Sequence, residues 1–343
     1  MPAHEPTWWY DPAPRWQTTA LAPLAYVYGA VAARRHKSAI PYRSSLPVIC
    51  VGNFTAGGTG KTPMSLCVAK IVRELGAEPW FLSRGYGGRL DGQERVDPAR
   101  HTAAEVGDEP LLLAAHGPTV ISGDRRLGAE FIARQNPGNA VIIMDDGLQN
   151  PALFKDLSIA VVDAKRGLGN GAVIPAGPLR AAMAFQMSLA DVIVINGTDG
   201  KAVRQLGRFK TQHIPTLLSA ATVPQTDTAW LKDATIIAYA GIANPSRFFD
   251  MLEGRGAHIV ERVTFADHQT LSTADAARLL DLAQERGAQL VTTEKDFARL
   301  SGLGDNRAAL RDASKTLPIA IQLSASDEAL LKDRIAKMLA SLK

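Results

Sequence analysis

Between residues 47 and 195 the chain alternates short apolar runs with amphipathic stretches. The runs at 47–51, 79–83, 118–122, 140–145, 158–163 and 191–195 are rich in Val, Ile and other apolar residues. They lack polar alternation, as strands covered on both faces do. The segments 62–75, 110–116 and 125–135 between them carry helical spacing. This order predicts an α/β fold with a doubly wound, mostly parallel sheet. The pattern loosens over 197–232, and a second alternation follows: strand 235–240, helix 245–254, strand 257–264, helix 273–286, strand 289–293 and strand 318–323. Thr273 and Gly287 fit the N-cap and left-handed stop of one of these helices. From Asp327 onward, Leu331, Ile335, Met338 and Leu342 share one helical face. The expected organisation is an N-terminal segment 1–40, a larger α/β domain 41–212 and a smaller α/β domain 213–343 that closes a cleft.

The N-terminal segment breaks the pattern. Residues 18–33 carry no charge; Trp8, Trp9, Tyr10 and Trp16 precede them, and Arg34, Arg35, His36 and Lys37 follow. Aromatic and basic residues flanking an apolar stretch are features of a membrane interface. The stretch is shorter than the roughly 20 residues a span requires, and Pro23 and Gly29 weaken it as a helix. The basic cluster follows the apolar part, which is the reverse of a signal peptide. A helix lying in the interface accounts for these features, with the basic residues on anionic headgroups. A helix packed on the protein's own core is the other reading.

The first apolar run leads into Gly52-Asn53-Phe54-Thr55-Ala56-Gly57-Gly58-Thr59-Gly60-Lys61-Thr62-Pro63. A strand, a glycine-rich turn, Lys-Thr and a helix together make a phosphate cradle. Backbone N–H groups of Thr55, Ala56, Gly57, Gly58, Thr59 and Gly60 can turn toward phosphate oxygens, Lys61 can reach the β and γ oxygens, and Thr62 can hold Mg²⁺. A helix starting at that point aims its positive end at the same anion. Thr55 stands where the strict pattern has glycine. The run 140–144 ends in Asp145-Asp146-Gly147. Such a pair is either an ordinary turn or the carboxylates that complete a Mg²⁺ site opposite Thr62.

Other residues gain meaning only in combination. Asp108 in Gly107-Asp108-Glu109-Pro110 suits a helix N-cap, and would equally orient or deprotonate a hydroxyl. His268, beside Asp267, is a suitable proton acceptor or an ordinary surface histidine. Arg84, Arg125 and Arg180 offer planar forks for phosphate, or are solvated charges. Thr293-Glu294-Lys295-Asp296 is a ligand contact or a capping turn.

In order, Gly57-Gly58-Thr59-Gly60-Lys61-Thr62-Pro63, Ser83-Arg84-Gly85-Tyr86-Gly87, Gly107-Asp108-Glu109-Pro110, Asp145-Asp146-Gly147-Leu148-Gln149, Pro175-Ala-Gly-Pro-Leu-Arg180, Asp267-His268 and Thr293-Glu294-Lys295-Asp296 resemble the tetraacyldisaccharide 4′-kinase family. The resemblance runs from the N-terminal segment to about residue 300 and includes Thr55 as the family's own form of the loop. It implies transfer of the γ-phosphate of ATP, with Mg²⁺, to the 4′-hydroxyl of a tetraacyldisaccharide 1-phosphate in lipid A synthesis, at the cytoplasmic face of the bacterial inner membrane. By the same resemblance Lys61 and Thr62 serve nucleotide and metal, and Asp145 and Asp146 serve the metal. Asp108 and His268 activate the sugar hydroxyl, while Arg84, Tyr86, Arg125, Gln149 and Arg180 support the site. One departure stands out: the family usually has Glu after the Pro-Leu-Arg run, and here the residue is Ala181.

Composition removes other classes. A hydrophobic share of 46% and a charged share of 21% are ordinary for a globular chain of 343 residues. A net charge of +4 is too small to argue for nucleic acid, though it suits an anionic surface or a phosphorylated substrate. The two cysteines, Cys50 and Cys67, offer neither a disulfide framework nor zinc spacing. Rival readings are a membrane-associated phosphate-loop ATPase switch of the partition type, a kinase or ligase for a soluble small molecule, and a nucleotide-gated binding module. The partition type carries a signature lysine where this chain has Ala56.

Overall fold

The computed structural model describes residues 5–11, 13, 15–135, 138–209 and 215–341. The expected domain border at 212/213 and the side chain of Leu342 lie outside them. In chain order the elements are α1 (Trp16–Ser38), β1 (Val48–Gly52), α2 (Lys61–Glu74), β2 (Glu78–Ser83), β3 (Glu94–Arg95), α3 (Ala103–Val106), α4 (Asp108–Ala114), β4 (Thr119–Ile121), α5 (Arg125–Gln135), β5 (Ala140–Asp145), β6 (Leu157–Asp163), α6 (Met183–Ser188), β7 (Val192–Asn196), α7 (Lys201–Leu206) and β8 (Thr216–Pro224). Then come β9 (Thr235–Ala240), α8 (Pro245–Glu253), β10 (His258–Thr264), α9 (Thr273–Arg286), β11 (Gln289–Thr292), α10 (Glu294–Arg299), α11 (Asp305–Ala313), β12 (Ser314–Thr316), β13 (Ile319–Leu323) and α12 (Ala325–Ser341).

The larger sheet has nine strands in the order β13-β8-β7-β6-β1-β5-β2-β4-β3. Its pairs are parallel except at the two edges, β3 on β4 and β13 on β8. Side chains of successive strand residues face opposite ways, so one run feeds two cores. Ile49 and Val51 pack with α2 and with Leu331 and Ile335 of α12. Val48 and Cys50 pack with Ile132 of α5 and Met183 of α6 on the other side. β1 is central, and the chain leaves it toward opposite edges. Its carboxyl end is therefore the crevice where open α/β sheets bind ligands.

The smaller sheet has four strands in the order β10-β9-β11-β12, all parallel. Phe248, Phe249 and Leu252 of α8 cover one face, and Leu279 of α9 and Leu310 of α11 cover the other.

Strand pairing revises the expected boundary. β8, β13 and α12 belong to the larger sheet and its core, although the chain order placed everything past 213 in the smaller unit. Strand β13 closes antiparallel on β8 in the register Ile321↔Thr222, so the chain returns to the larger sheet after finishing the smaller one. The N-cap of α9 is Ser272 rather than Thr273; its hydroxyl accepts from Asp275 N in a capping box, and Gly287 stops the helix in the left-handed conformation.

Helix α1 is continuous through Pro23, and Ala25 is its only buried residue. Trp16, Tyr26 and Val31 are 75%, 78% and 61% exposed. Among the described residues no helix is long and apolar enough to cross a membrane. The preceding turn is tied down: Trp9 is buried, its indole donates to Pro175 O at 3.2 Å, and its carbonyl accepts from Asn170 N at 2.7 Å.

Candidate active site

The phosphate loop connects β1 to α2. Gly57 and Gly60 have φ of 91° and 99°, values open to glycine and costly for other residues. Gly60 is the N-cap of α2 and offers no side chain to the first turn, which leaves that helix end suited to an anion. Asn53 Nδ2 donates to Gly57 O at 3.2 Å and closes the loop on itself. The Ala56 amide, expected to face phosphate, instead donates to Pro178 O at 2.8 Å. Thr55 bridges to Leu179, and its carbonyl accepts from Arg180 Nε at 3.3 Å. The loop's first half is thus held by the 175–180 segment, leaving the stretch from Gly57 to Thr62 for an anion.

The acid pair ends β5 beside this loop. Asp145 Oδ1 accepts from Ser65 Oγ at 3.0 Å. Burial, with Glu109 and Asp146 nearby, pushes the Asp145 carboxyl up to about 7. Asp146 sits at φ 52°, 3.8 Å from Lys61 Nζ and 3.0 Å from Arg180 Nη2. Burial opposes its ionisation, but Lys61 and Arg180 bring it down to about 2. Asp145 Oδ2, Asp146 Oδ1 and Thr59 Oγ1 are buried without a hydrogen-bond partner among the described residues. Orphaned buried oxygens are costly, and two carboxylates beside the phosphate loop suit a divalent cation that keeps most of its ligands as water and phosphate. The donor set therefore fits Mg²⁺.

The other half of the site is assembled from both sheets. Gly107, at φ 91°, takes the N-cap place of α4, so Asp108 stands inside the first turn and is not the cap. Its carboxylate, 4% exposed, is used across the cleft. Oδ1 lies 3.1 Å from His268 Nδ1, and Oδ2 accepts from Arg299 Nε at 2.8 Å and from Arg299 Nη2. Burial resists the Asp108 charge, but the His268 hydrogen bond and the Arg299 and Lys295 cations override it and hold the carboxyl well below the usual range. Burial lowers the His268 pKa, but the Asp108 bond and charge outweigh it and raise the imidazole above its ordinary value. His268 has φ 60°, Tyr86 packs edge-on against its ring at 5.2 Å, and Nε2 stays 3.7 Å from Asp267. Tyr86, Asp108 and His268 line a pocket with Gly107, Thr270 and Arg299.

Sequence reasoning missed the grip behind the dyad. Arg299 Nη1 donates to Asp296 Oδ1 at 2.6 Å and to Gly241 O at 2.7 Å. Lys295 pairs with Glu109, whose ionisation burial opposes and Lys295 and Lys61 favour. Glu109 thus links the electrostatics of the two halves. The 293–296 run is a capping turn after all: Thr293 Oγ1 accepts from Asp296 N at 3.2 Å. Its acid and lysine still matter, because they anchor the dyad's support. Spacing was the available signal, since Asp296 and Arg299 are one helical turn apart.

The remaining candidates divide. Arg180 meets the acid pair, and Tyr86 meets His268. Arg84 is exposed just beyond β2. Arg125 is buried and braces the carbonyls of Ser122 and Asp145 at 2.6 and 3.5 Å, so it shapes the acid strand and does not stand open to phosphate. Gln149 donates to Asn53 O at 2.7 Å and Gln186 Oε1 at 2.6 Å, a brace for the loop. Ala181 is buried, and its position holds only a methyl where the family's acid is expected.

A model of the Tetraacyldisaccharide-1-P 4′-kinase family matches residues 17–340. The chain belongs to this family. The tetraacyldisaccharide 4′-kinase of Bradyrhizobium sp. (strain BTAi1) is 43% identical over 339 residues, covering 99% of this chain and 96% of that protein. The one from Dinoroseobacter shibae is 46% identical over 329 residues, covering 95% of each. Among solved structures, LpxK from Aquifex aeolicus in complex with ATP superposes with a TM-score of 0.73 at 25% identity, over 94% of this chain and 99% of that one.

Proposed function

We propose that this chain transfers the γ-phosphoryl group of ATP to the 4′-hydroxyl of a tetraacyldisaccharide 1-phosphate. Membership makes it a tetraacyldisaccharide 4′-kinase of lipid A synthesis. The observation that carries the mechanism is the meeting of a Lys61–Asp146 phosphate end with a buried Asp108–His268 pair from opposite sheets.

Asp108, held anionic, accepts a hydrogen bond from the Nδ1–H of His268. That fixes the tautomer and leaves Nε2 to accept the proton of the sugar hydroxyl. Lys61 and the amino end of α2 neutralise charge on the transferring group. Thr62, Asp145 and Asp146 would hold Mg²⁺, which would supply further neutralisation of phosphate charge. Arg180 draws Asp146 toward the loop, and Tyr86 packs the imidazole into place. Arg84, exposed at the rim, is available for an anionic group of the substrate. The two sheets act as a larger nucleotide unit and a smaller unit that closes over it.

Residues 1–40 are read as the membrane-associated part. The exposed aromatic and aliphatic side chains of α1, followed by Arg34, Arg35 and Lys37, suit the headgroup layer of an anionic membrane at the cytoplasmic face. Four acyl chains stay in the bilayer because each exposed CH₂ costs about 0.8 kcal/mol, so an enzyme acting on them has to work at that surface. Turnover of ATP–Mg²⁺ should require the acylated disaccharide 1-phosphate, presented in vesicles, and fail with soluble sugars. Equal transfer to a soluble sugar would move the reading to a small-molecule kinase. Flotation with anionic vesicles should be lost when residues 1–40 are removed; retention would sink the anchor.

A further inference from the structure

The turn and helix that follow β9 reach out of the smaller unit onto the phosphate loop. Arg247, on α8, donates from Nη1 to Asp163 Oδ2 at 3.1 Å, at the end of β6. Its Nη2 donates to Asn196 Oδ1 at 2.8 Å and to Thr222 Oγ1 at 2.7 Å. Thr222 in turn donates its hydroxyl to Asn196 Oδ1 at 3.0 Å. With its oxygen gripped by two donors, the Asn196 amide has one orientation, and Nδ2 donates to Thr59 O at 3.0 Å. The same Nδ2 lies 2.6 Å from where a Cβ on Gly60 would stand. The amide therefore presses on the two residues just ahead of Lys61. Ala243, in the turn before α8, is 3.5 Å from the place of a Cβ on Gly58.

We infer that Arg247 is a positioning residue for the nucleotide site: through Asn196 it sets the shape of the Thr59–Gly60 turn from the opposite unit. The inference rests on reading that turn as the nucleotide cradle. An asparagine alone could flip its amide and offer Thr59 an oxygen; the Arg247 cation makes that orientation costly, since it would face an NH₂ group. The same connection carries the acceptor side, because Gly241 O accepts from Arg299 and Gly241 N donates to Asp296 at 3.1 Å. One stretch, 241–247, thus touches the support of the dyad at its start and the support of the phosphate loop at its end.

The test is a titration of the purified full-length protein with Mg–ATP in the absence of lipid, alongside kcat and both KM values. Arg247→Ala should weaken nucleotide binding by about ten- to a hundredfold, as loss of hydrogen bonds from a charged donor does, with the lipid KM unmoved. Asn196→Ala should give a similar loss. The double variant should be no weaker than the worse single, because both act through one contact. Arg247→Lys, which keeps the charge but not the fork, should recover part of the affinity. Nucleotide binding by Arg247→Ala equal to wild type, or additive losses in the double variant, would overturn the inference while leaving the kinase assignment intact. If Arg247→Ala fails to fold, Asn196→Ala alone decides, since its expected loss of affinity is specific to nucleotide. A wild-type protein that binds no Mg–ATP would overturn the cradle reading and this inference with it.

Discussion

The two halves of the site are built in different ways. The phosphate half comes from the larger sheet: a loop, the first turn of α2 and the end of β5, paired in register with β1 at Val51↔Asp145. Its parts are fixed by strands that are buried along their whole length. The acceptor half takes Asp108 from α4 and its partners His268 and Arg299 from beyond β10 and from α10, separated by 160 and 191 residues. Its geometry exists only while the two sheets are together. Under the proposed reading this division would serve a kinase: the triphosphate would be held on a rigid end and the base completed from the other unit, which would limit wasteful transfer to water.

The largest test separates the halves. Lys61→Ala should reduce transfer by about a thousandfold or more, the scale of losing a charged group aimed at a transferring phosphoryl, and should weaken Mg–ATP binding. His268→Ala should lower kcat by about 10²- to 10⁴-fold with nucleotide binding retained. Equilibrium binding and steady-state kinetics on both variants read the comparison directly. If His268→Ala raises only KM, or if Lys61→Ala turns over normally, the division of labour is wrong.

The same division decides what could be read from the chain. The phosphate half was legible because it is contiguous: glycines, Lys61 and Thr62 sit in one loop, and Asp145-Asp146 terminate one apolar run. The acceptor half was legible only through resemblance. Local chemistry made Asp108 a helix cap, and the positive φ of Gly107 shows why that failed: the glycine takes the cap position and moves the acid into the turn. Arg247 and Asn196 gave no signal, since each acts on a partner far along the chain, and Arg299 showed only its helical spacing from Asp296. Strand β8 was missed because its residues mix burial classes rather than forming one apolar run. β13 and α12 were assigned to the wrong sheet because nearness in sequence stood in for pairing.

A second test attacks the acceptor half alone. Arg299 is the shared partner of two buried carboxylates, Asp108 and Asp296, whose side chains are 4% and 0% exposed. Removing one member of a buried ionic cluster leaves uncompensated charge and costs about 3–5 kcal/mol. Arg299→Met should lower stability in urea by that amount while Mg–ATP affinity in the folded protein stays within about threefold of wild type, since its ion pairs, with Asp108 and Asp296, lie in the acceptor half. A loss below about 1 kcal/mol would mean that the cluster is solvated and the units are not joined through it.

The smallest test concerns protons. His268 carries a raised pKa because Asp108, and to a lesser degree Asp267, outweigh burial and the opposing Lys295 charge. As a base it has to be unprotonated, so kcat/KM should fall on the acid side with a midpoint above the ordinary imidazole value of about 6.5. Stability runs the other way. A raised folded pKa adds stability that is complete below the ordinary imidazole value and is lost as pH rises through the raised one. The join between the units is therefore firmest where the base is occupied. Asp267 is 39% exposed and 3.7 Å from Nε2, so solvent screens it, and Asp267→Asn should move the acid limb downward by less than about one pH unit. A limb set by Asp145, which burial and its acidic neighbours push up to about 7, would not respond to Asp267. An unmoved limb would mean that Asp267 does not bear on His268, and persistence of the limb in the residual activity of His268→Ala would transfer the titration to the phosphate half and remove His268 from the role of base.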